Sequence, residues 1–355
     1  MKNFGNKKQQ NYNKNNNNKK YNDILKNDFL IISAMEKYDY YPKTSYFENN
    51  KYDKIIPDAQ NFEKIFPKFI SLFKNLDTEF SEFIHKKEYI KGDLNKDMRN
   101  FILDQLYKYD TEVINFAGRF WDLLDKKVKS HSIIFLYMAN EYINKNKLSE
   151  YDKNILYWAI LFHDIGKFHE MNTFYKEDYS KNVFVDESHP FKSAIVFIQT
   201  LINKNLIYYK DEKEKKDFIN FFLKEFTEAI YKSFEETINR NGNLSYKINF
   251  NNFENIEKFI LKLKSNEENR WIYDIFVLII FHQSLPNNDK GNGNHVNDPL
   301  LDKKYIIEFF DIRLLELMRI ILVFDSSSHC LFNGKWIQKI DKHFDLLVNE
   351  LINNK

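Results

Sequence analysis

Phe162-His163-Asp164-Ile165-Gly166-Lys167 is the stretch on which the reading of this chain turns. Upstream of it, Ile155, Trp158, Ala159 and Phe162 recur at helical spacing and predict an apolar-faced helix over about 150–165. Gly166 then reads as a C′ residue, where a helix closes in the left-handed region. A His-Asp pair is therefore offered at a helix end. It supplies a nitrogen and a hard oxygen from one rigid place, a combination that suits divalent metals such as Mn, Fe, Co or Zn.

Working outward, a helix is predicted over 129–147, with Ser130 as N-cap and His131, Ile134, Phe135, Met138 and Tyr142 following it. Downstream, Ser188-His189-Pro190 starts another helix, carried on by Ala194, Ile195, Phe197 and Ile198. An apolar stretch runs from Trp271 to His282, and the loop 284–300 holds Pro286, Gly291, Gly293 and Asn294. A long apolar helix is predicted over about 303–325, ending at Asp325, where Ser326-Ser327-Ser328 marks a change of structure. Residues 203–268 are highly charged and read as an insertion, with an extended piece near 244–250.

The N-terminal third divides in two. Residues 1–22 are Asn- and Lys-rich and are expected to be a disordered polar tail. Over 23–125, Phe66, Phe69, Ile70 and Phe73 share one face and Phe101, Ile102, Leu106 and Tyr107 another, which predicts an N-terminal helical layer. The chain has 355 residues with 8 Gly and 6 Pro, too few turn-makers for a fold of many short strands. The expected class is all-α. The net charge is +2, so no global basic field points to nucleic acid.

One cysteine, Cys330, excludes an internal disulfide framework and a Cys-based zinc site. It fits a reducing compartment, and a cytoplasmic location is expected. No apolar run approaches the length of a membrane span, and the N-terminus lacks the apolar core of a secretory signal.

Of nine histidines, His131, His163, His189 and His282 fall at starts or ends of apolar helices, where side chains from several helices can converge on one pocket. Asp325 follows them. Asp311 competes with Asp325, and His295 with His282. His85 reads as a surface residue and His343 carries no chemical signal; His169 could line the pocket, and His329 could support the site near Asp325.

In this order the residues resemble the HD superfamily of metal-dependent phosphohydrolases, whose pattern is a His, a later His-Asp at a helix end and a final Asp. The matching residues are His131, His163, Asp164 and Asp325, and the Gly166-Lys167 pair is similar to the family's extended motif. His189-Pro190-Phe191-Lys192-Ser193-Ala194 is similar to an element of the two-metal branch, which includes HD-GYP proteins. Gln283 follows His282, and no Gly-Tyr-Pro triplet comes after it, so the motif names a chemistry and not a substrate.

The resemblance covers about 129–330 and implies an HD-domain helical bundle over 126–350, interrupted by the insertion. It implies two divalent ions (Mn, Fe, Co, Ni, Zn or Mg), with Asp164 between them. His131, His163 and Asp325 would hold one ion, and His189 and His282 the other. Asp164 and Lys167 would be catalytic, Lys167 by stabilising charge on the scissile phosphate. The implied reaction is metal-dependent hydrolysis of a phosphoester, on a phosphorylated small molecule or a nucleotide, cyclic ones included. CRISPR-associated HD nucleases look similar too, and Lys210 to Lys216 with the basic tail could contact single-stranded nucleic acid. Proteins resembling inositol oxygenase use the same ligands for two irons, and a scaffold with relic ligands is the remaining alternative.

Overall fold

The computed structural model describes residues 56–72, 112–167, 189–238, 244–248, 253–282, 303–329 and 334–353, together with Thr44 and Tyr46. It is a helical bundle, as the scarcity of Gly and Pro leads one to expect. Helix α1 spans Lys126–Lys145, α2 Glu150–Phe162 and α3 His189–Asn203. Helices α4 (Glu212–Phe221) and α5 (Phe253–Lys264) belong to the charged stretch. They are followed by α6 (Arg270–Phe281), α7 (Ile312–His329) and α8 (Gly334–Asn353).

Two helices form the centre. In α2 every residue from Asn154 to Phe162 is buried, and in α6 every residue from Trp271 to Phe281 is. A helix that is apolar all round must be wrapped on all sides. Accordingly α2 packs against α1 and α6, α6 against α3 and α5, and α7 against α1 and α8. Ser149 starts α2: its Oγ accepts from the Asp152 backbone N–H at 3.1 Å and donates to the Asp152 carboxylate at 2.9 Å.

A buried ionic cluster ties the same end of three helices. The Arg313 guanidinium of α7 donates to Asp152 of α2 at 2.7 Å and to Asp274 of α6. Tyr151 donates to Asp274 at 2.9 Å, and Arg270 Nε reaches its other oxygen at 3.1 Å. Burial raises the Asp152 carboxyl above its ordinary range although Arg313 opposes this.

Among the described residues of the N-terminal layer, Phe62, Phe66, Phe69 and Leu72 are buried against the bundle. Two polar contacts fix their register: Trp158 Nε1–H donates to the Gln60 carbonyl at 2.8 Å, and the Phe62 N–H donates to Asn154 at 2.6 Å. Phe73, Phe101, Ile102, Leu106 and Tyr107 lie outside the described residues, as does the tail 1–22.

The charged stretch is helical too, with a π-helical turn at Phe222–Thr227 and a short helix at Glu228–Lys232. Its charges cover an aromatic seam of Phe218, Phe222, Phe226 and Phe259, which joins the bundle at Phe276. The extended piece expected near 244–250 is the second strand of an antiparallel hairpin, Phe234–Ile238 (β1) with Leu244–Ile248 (β2), Phe234 pairing Ile248.

Several boundaries differ from the sequence reading. Helix α1 begins before Ser130, so Ser130 is inside the helix and the Lys129 N–H donates back to the Asp125 carbonyl at 3.0 Å. The single helix expected over 303–325 is two, Lys303–Phe309 and α7. Asp311 is not mid-helix but caps α7, its Oδ1 accepting from the Leu314 N–H at 2.7 Å. Asp325 does not end α7, which continues through the three serines to His329.

Candidate metal centre

At the end of the bundle away from Arg313, five helices (α1, α2, α3, α6 and α7) each deliver one or two polar side chains. His131 comes from the second turn of α1. His163 is the C-cap of α2, its backbone N–H donating to the Ala159 carbonyl at 2.8 Å, and Asp164 is the next residue. His189 is the first residue of α3, His282 the C-cap of α6, and Asp325 lies on α7. The four imidazoles and Asp164 are each no more than 2 % exposed.

A short turn, Ile165–Lys167, holds Asp164 in place. The Gly166 N–H donates to Ser193 Oγ of α3 at 2.9 Å. A Cβ on Gly166 would stand 2.5 Å from the Ser193 backbone nitrogen and 2.6 Å from the His189 carbonyl oxygen. Glycine is therefore required by close approach to α3. The left-handed cap expected from the sequence is not what it provides, since its φ is not positive.

Asp164 divides its two oxygens between two pairs of histidines. Oδ2 lies 3.5 Å from both His131 Nε2 and His163 Nε2. Oδ1 lies 3.0 Å from His189 Nε2 and 3.7 Å from His282 Nε2. Within each pair the Nε2 atoms face one another, at 3.2 Å for His131 and His163 and 3.1 Å for His189 and His282. Asp325 Oδ1 joins the first pair, 2.9 Å from His131 Nε2 and 3.8 Å from His163 Nε2. In each group of three, His131-His163-Asp164 and Asp164-His189-His282, one ligand atom per residue lies within 4.8 Å of the others.

The tautomers follow from the other ring nitrogens. His163 Nδ1 is 2.6 Å from the Ile160 carbonyl and His282 Nδ1 is 2.7 Å from the Ile279 carbonyl. A carbonyl oxygen only accepts, so both Nδ1 atoms carry hydrogen, and in the neutral ring Nε2 then presents its lone pair inward. Lone pairs aimed at carboxylate oxygens repel unless a cation lies between them. Asp164 Oδ1 is buried and makes no well-aligned hydrogen bond. This donor set of neutral imidazoles and carboxylates fits divalent metal ions of the borderline transition series.

The electrostatics favour the neutral imidazole at His163 and His189. Burial drives the His163 imidazole down to about 3, with Asp164 and Asp325 only partly opposing it. Burial and then the Lys167 charge take His189 down to about 4. Burial would raise the Asp164 carboxyl, but the interactions opposing it, the Lys167 ammonium foremost, outweigh it and hold it well below the ordinary range. Lys167 Nζ donates to Asp164 Oδ2 at 2.7 Å, and its side chain is 28 % exposed, at the rim of the cluster.

The structure thus brings together His131, His163, Asp164, Lys167, His189, His282 and Asp325. Asp311, the competitor of Asp325, caps α7 and lies 3.7 Å from Arg270. His85, His169 and His295 lie outside the described residues, as does the side chain of His329; His343 sits on α8 against Phe344. Among the described residues, Ser328, the neighbour of His329, supports the site: its Oγ is 2.7 Å from His131 Nδ1. Its position one helical turn after Asp325 was the available signal. Ser193 was within a recognised element, yet its bond to Gly166 was invisible without α3 in place.

Residues 128–290 match the family model of the HD domain, a little under half of the chain. The match supports the HD superfamily, whose members are generally metal-dependent hydrolases. It contains His131, His163, Asp164, His189 and His282, whereas Asp325 lies beyond it and is joined to the cluster by geometry. No curated protein and no solved structure matches the chain. Among the described residues no helix is long and apolar enough to cross a membrane.

Proposed function

We propose that the protein is a two-metal phosphohydrolase that cleaves a phosphoester of nucleotide or cyclic-nucleotide class. The observation that carries this reading is the division of Asp164, one oxygen toward His131 and His163 and the other toward His189 and His282. His131, His163 and Asp325 would hold one ion, His189 and His282 the other, and Asp164 both. When bound, such ions lower the pKa of water toward neutrality and withdraw charge from the phosphoryl oxygens. The catalytic domain on this reading is 126–350, with 203–268 as its insertion.

The chain's own residues do the remaining work. Burial keeps His163 and His189 neutral at pH 7, the form in which imidazole is a ligand. Gly166 and Ser193 hold Asp164 against α3. Lys167 is at the rim and mobile enough through its methylene stem to leave Asp164 for a phosphoryl oxygen, where its charge counters the negative charge that develops there.

A nucleotide-sized substrate ranks above a nucleic-acid strand. The lysine run from 210 to 216 is interleaved with acids, Asp211 caps α4, and the Lys210 N–H donates to Glu214 at 2.6 Å. Its surface carries both signs of charge, a poor track for a phosphate backbone. The test is metal analysis of the purified protein together with a screen of phosphate esters, cyclic dinucleotides and single-stranded DNA across Mn, Co, Ni, Zn, Fe and Mg. Turnover of a small phosphoester with bound metal is expected. Cleavage of DNA alone would move the assignment to a nuclease, and oxygen uptake with iron would move it to an oxygenase.

A further inference from the structure

His163 and His282 orient themselves by local means. Each is a helix C-cap, and each donates its Nδ1–H to the carbonyl three residues earlier, one of the orphan carbonyls of a last helical turn. His131 is placed differently. It lies inside α1, where the surrounding carbonyls are engaged in the helix's own bonds. Its Nδ1 is met from another helix by Ser328 Oγ at 2.7 Å, both residues being almost wholly buried. The Ser328 hydroxyl donates its single hydrogen to the Asp325 carbonyl at 2.6 Å, which leaves its lone pairs for the imidazole. Asp325 and Ser328 are one turn apart on α7, so this helix holds both nitrogens of one ring, Nε2 through the Asp325 carboxylate at 2.9 Å and Nδ1 through Ser328.

Resting on the two-metal reading above, we propose that Ser328 is a positioning residue that fixes His131 as the Nδ1–H tautomer and so leaves Nε2 free to ligate. Such partners of a ligating imidazole set ring orientation and basicity, and their loss weakens metal binding about 10- to 100-fold. Ser328→Ala removes the acceptor. Ser328→Thr keeps it, because a threonine hydroxyl makes the same bond to a carbonyl one turn back.

The experiment uses the full chain and Zn²⁺ alone. Affinity is measured by chelator competition, and the His131 tautomer by nitrogen–proton correlation spectra of the zinc-loaded protein. The expected result is a protonated Nδ1 on His131 in the wild type, affinity about 10- to 100-fold weaker in Ser328→Ala, and recovery in Ser328→Thr to within a few-fold. Equal affinity of wild type and Ser328→Ala overturns the inference and leaves the metal site standing. Equal loss in both variants, with lowered thermal midpoints and an unchanged tautomer, also overturns it, since packing would then be the cause. A wild type that binds no zinc or other divalent ion overturns the two-metal reading and this inference with it.

Discussion

Helices α2, α6 and α7 each contribute to two buried polar clusters, one at either end. At one end stand Asp152, Asp274 and Arg313; at the other stand His163 with Asp164, His282 and Asp325. Within each helix the two sets are roughly 12–18 Å apart at 1.5 Å per residue. The first cluster is closed on itself: two carboxylates meet a guanidinium, and Tyr151 and Arg270 take further oxygen positions. The second is open, with imidazole lone pairs and carboxylate oxygens turned toward one another and Lys167 reaching one oxygen from the rim. Burial alone does not mark a functional site. What separates these two is whether the protein supplies the opposite charge itself.

The comparison can be broken by removing a member of each cluster. On the two-metal reading, Asp164→Ala should abolish metal binding and lower turnover by about 10³-fold or more, because bound ions would supply several kcal/mol of transition-state stabilisation. The fold should survive, and bound metal measured beside a thermal melt checks both. Arg313→Ala should do the reverse. It strands two buried carboxylates and should cost about 3–5 kcal/mol in urea denaturation, while the zinc affinity of the folded protein changes little.

The open cluster should also make the metal-free protein acid-sensitive. The unfolded chain protonates His163 and His189 near pH 6.5, whereas the folded chain does so only near 3 and 4. Below about pH 6.5 the unfolded state therefore binds more protons, so stability falls as pH falls. The slope is about 1.4 kcal/mol per pH unit for each imidazole, down to pH 4 for His189 and pH 3 for His163. Asp164, depressed below its ordinary range, adds a further loss only below about pH 4. Chemical denaturation at a series of pH values without metal measures this, and a flat profile from pH 7 to 4 would contradict the neutral imidazoles. The smallest effect expected is for Gly166→Ala, about 1–3 kcal/mol, since its new methyl meets backbone atoms of α3 that cannot swing aside.

The candidate ligands were legible in the sequence because they interrupt apolar helical patterns at helix ends. His163, His189 and His282 all stand where periodicity stops, and their order along the chain did the rest. Asp325 was found for a wrong reason, as the end of a helix that in fact continues through it. The closed cluster was not legible, since Asp152, Asp274 and Arg313 look like ordinary surface charges until three helices are assembled. The charged stretch 203–268 misled in the opposite direction: its composition is charged, yet Phe218, Phe222, Phe226 and Phe259 give it an aromatic interior. Charge content counts residues, whereas packing depends on which face they occupy. The docking of Gln60 and Phe62 onto α2 likewise depends on contacts that span about a hundred positions and leave no local pattern.

The contact at Gly166 has one more consequence. Where a side chain would have stood, the turn carrying Asp164 presses directly on the first turn of α3, which begins with His189. The carboxylate that faces both pairs of histidines and the first histidine of the second pair are thereby cast as one rigid part. The gap between the two pairs of histidines works as a gauge, cut to size by a missing methyl group before anything is measured against it.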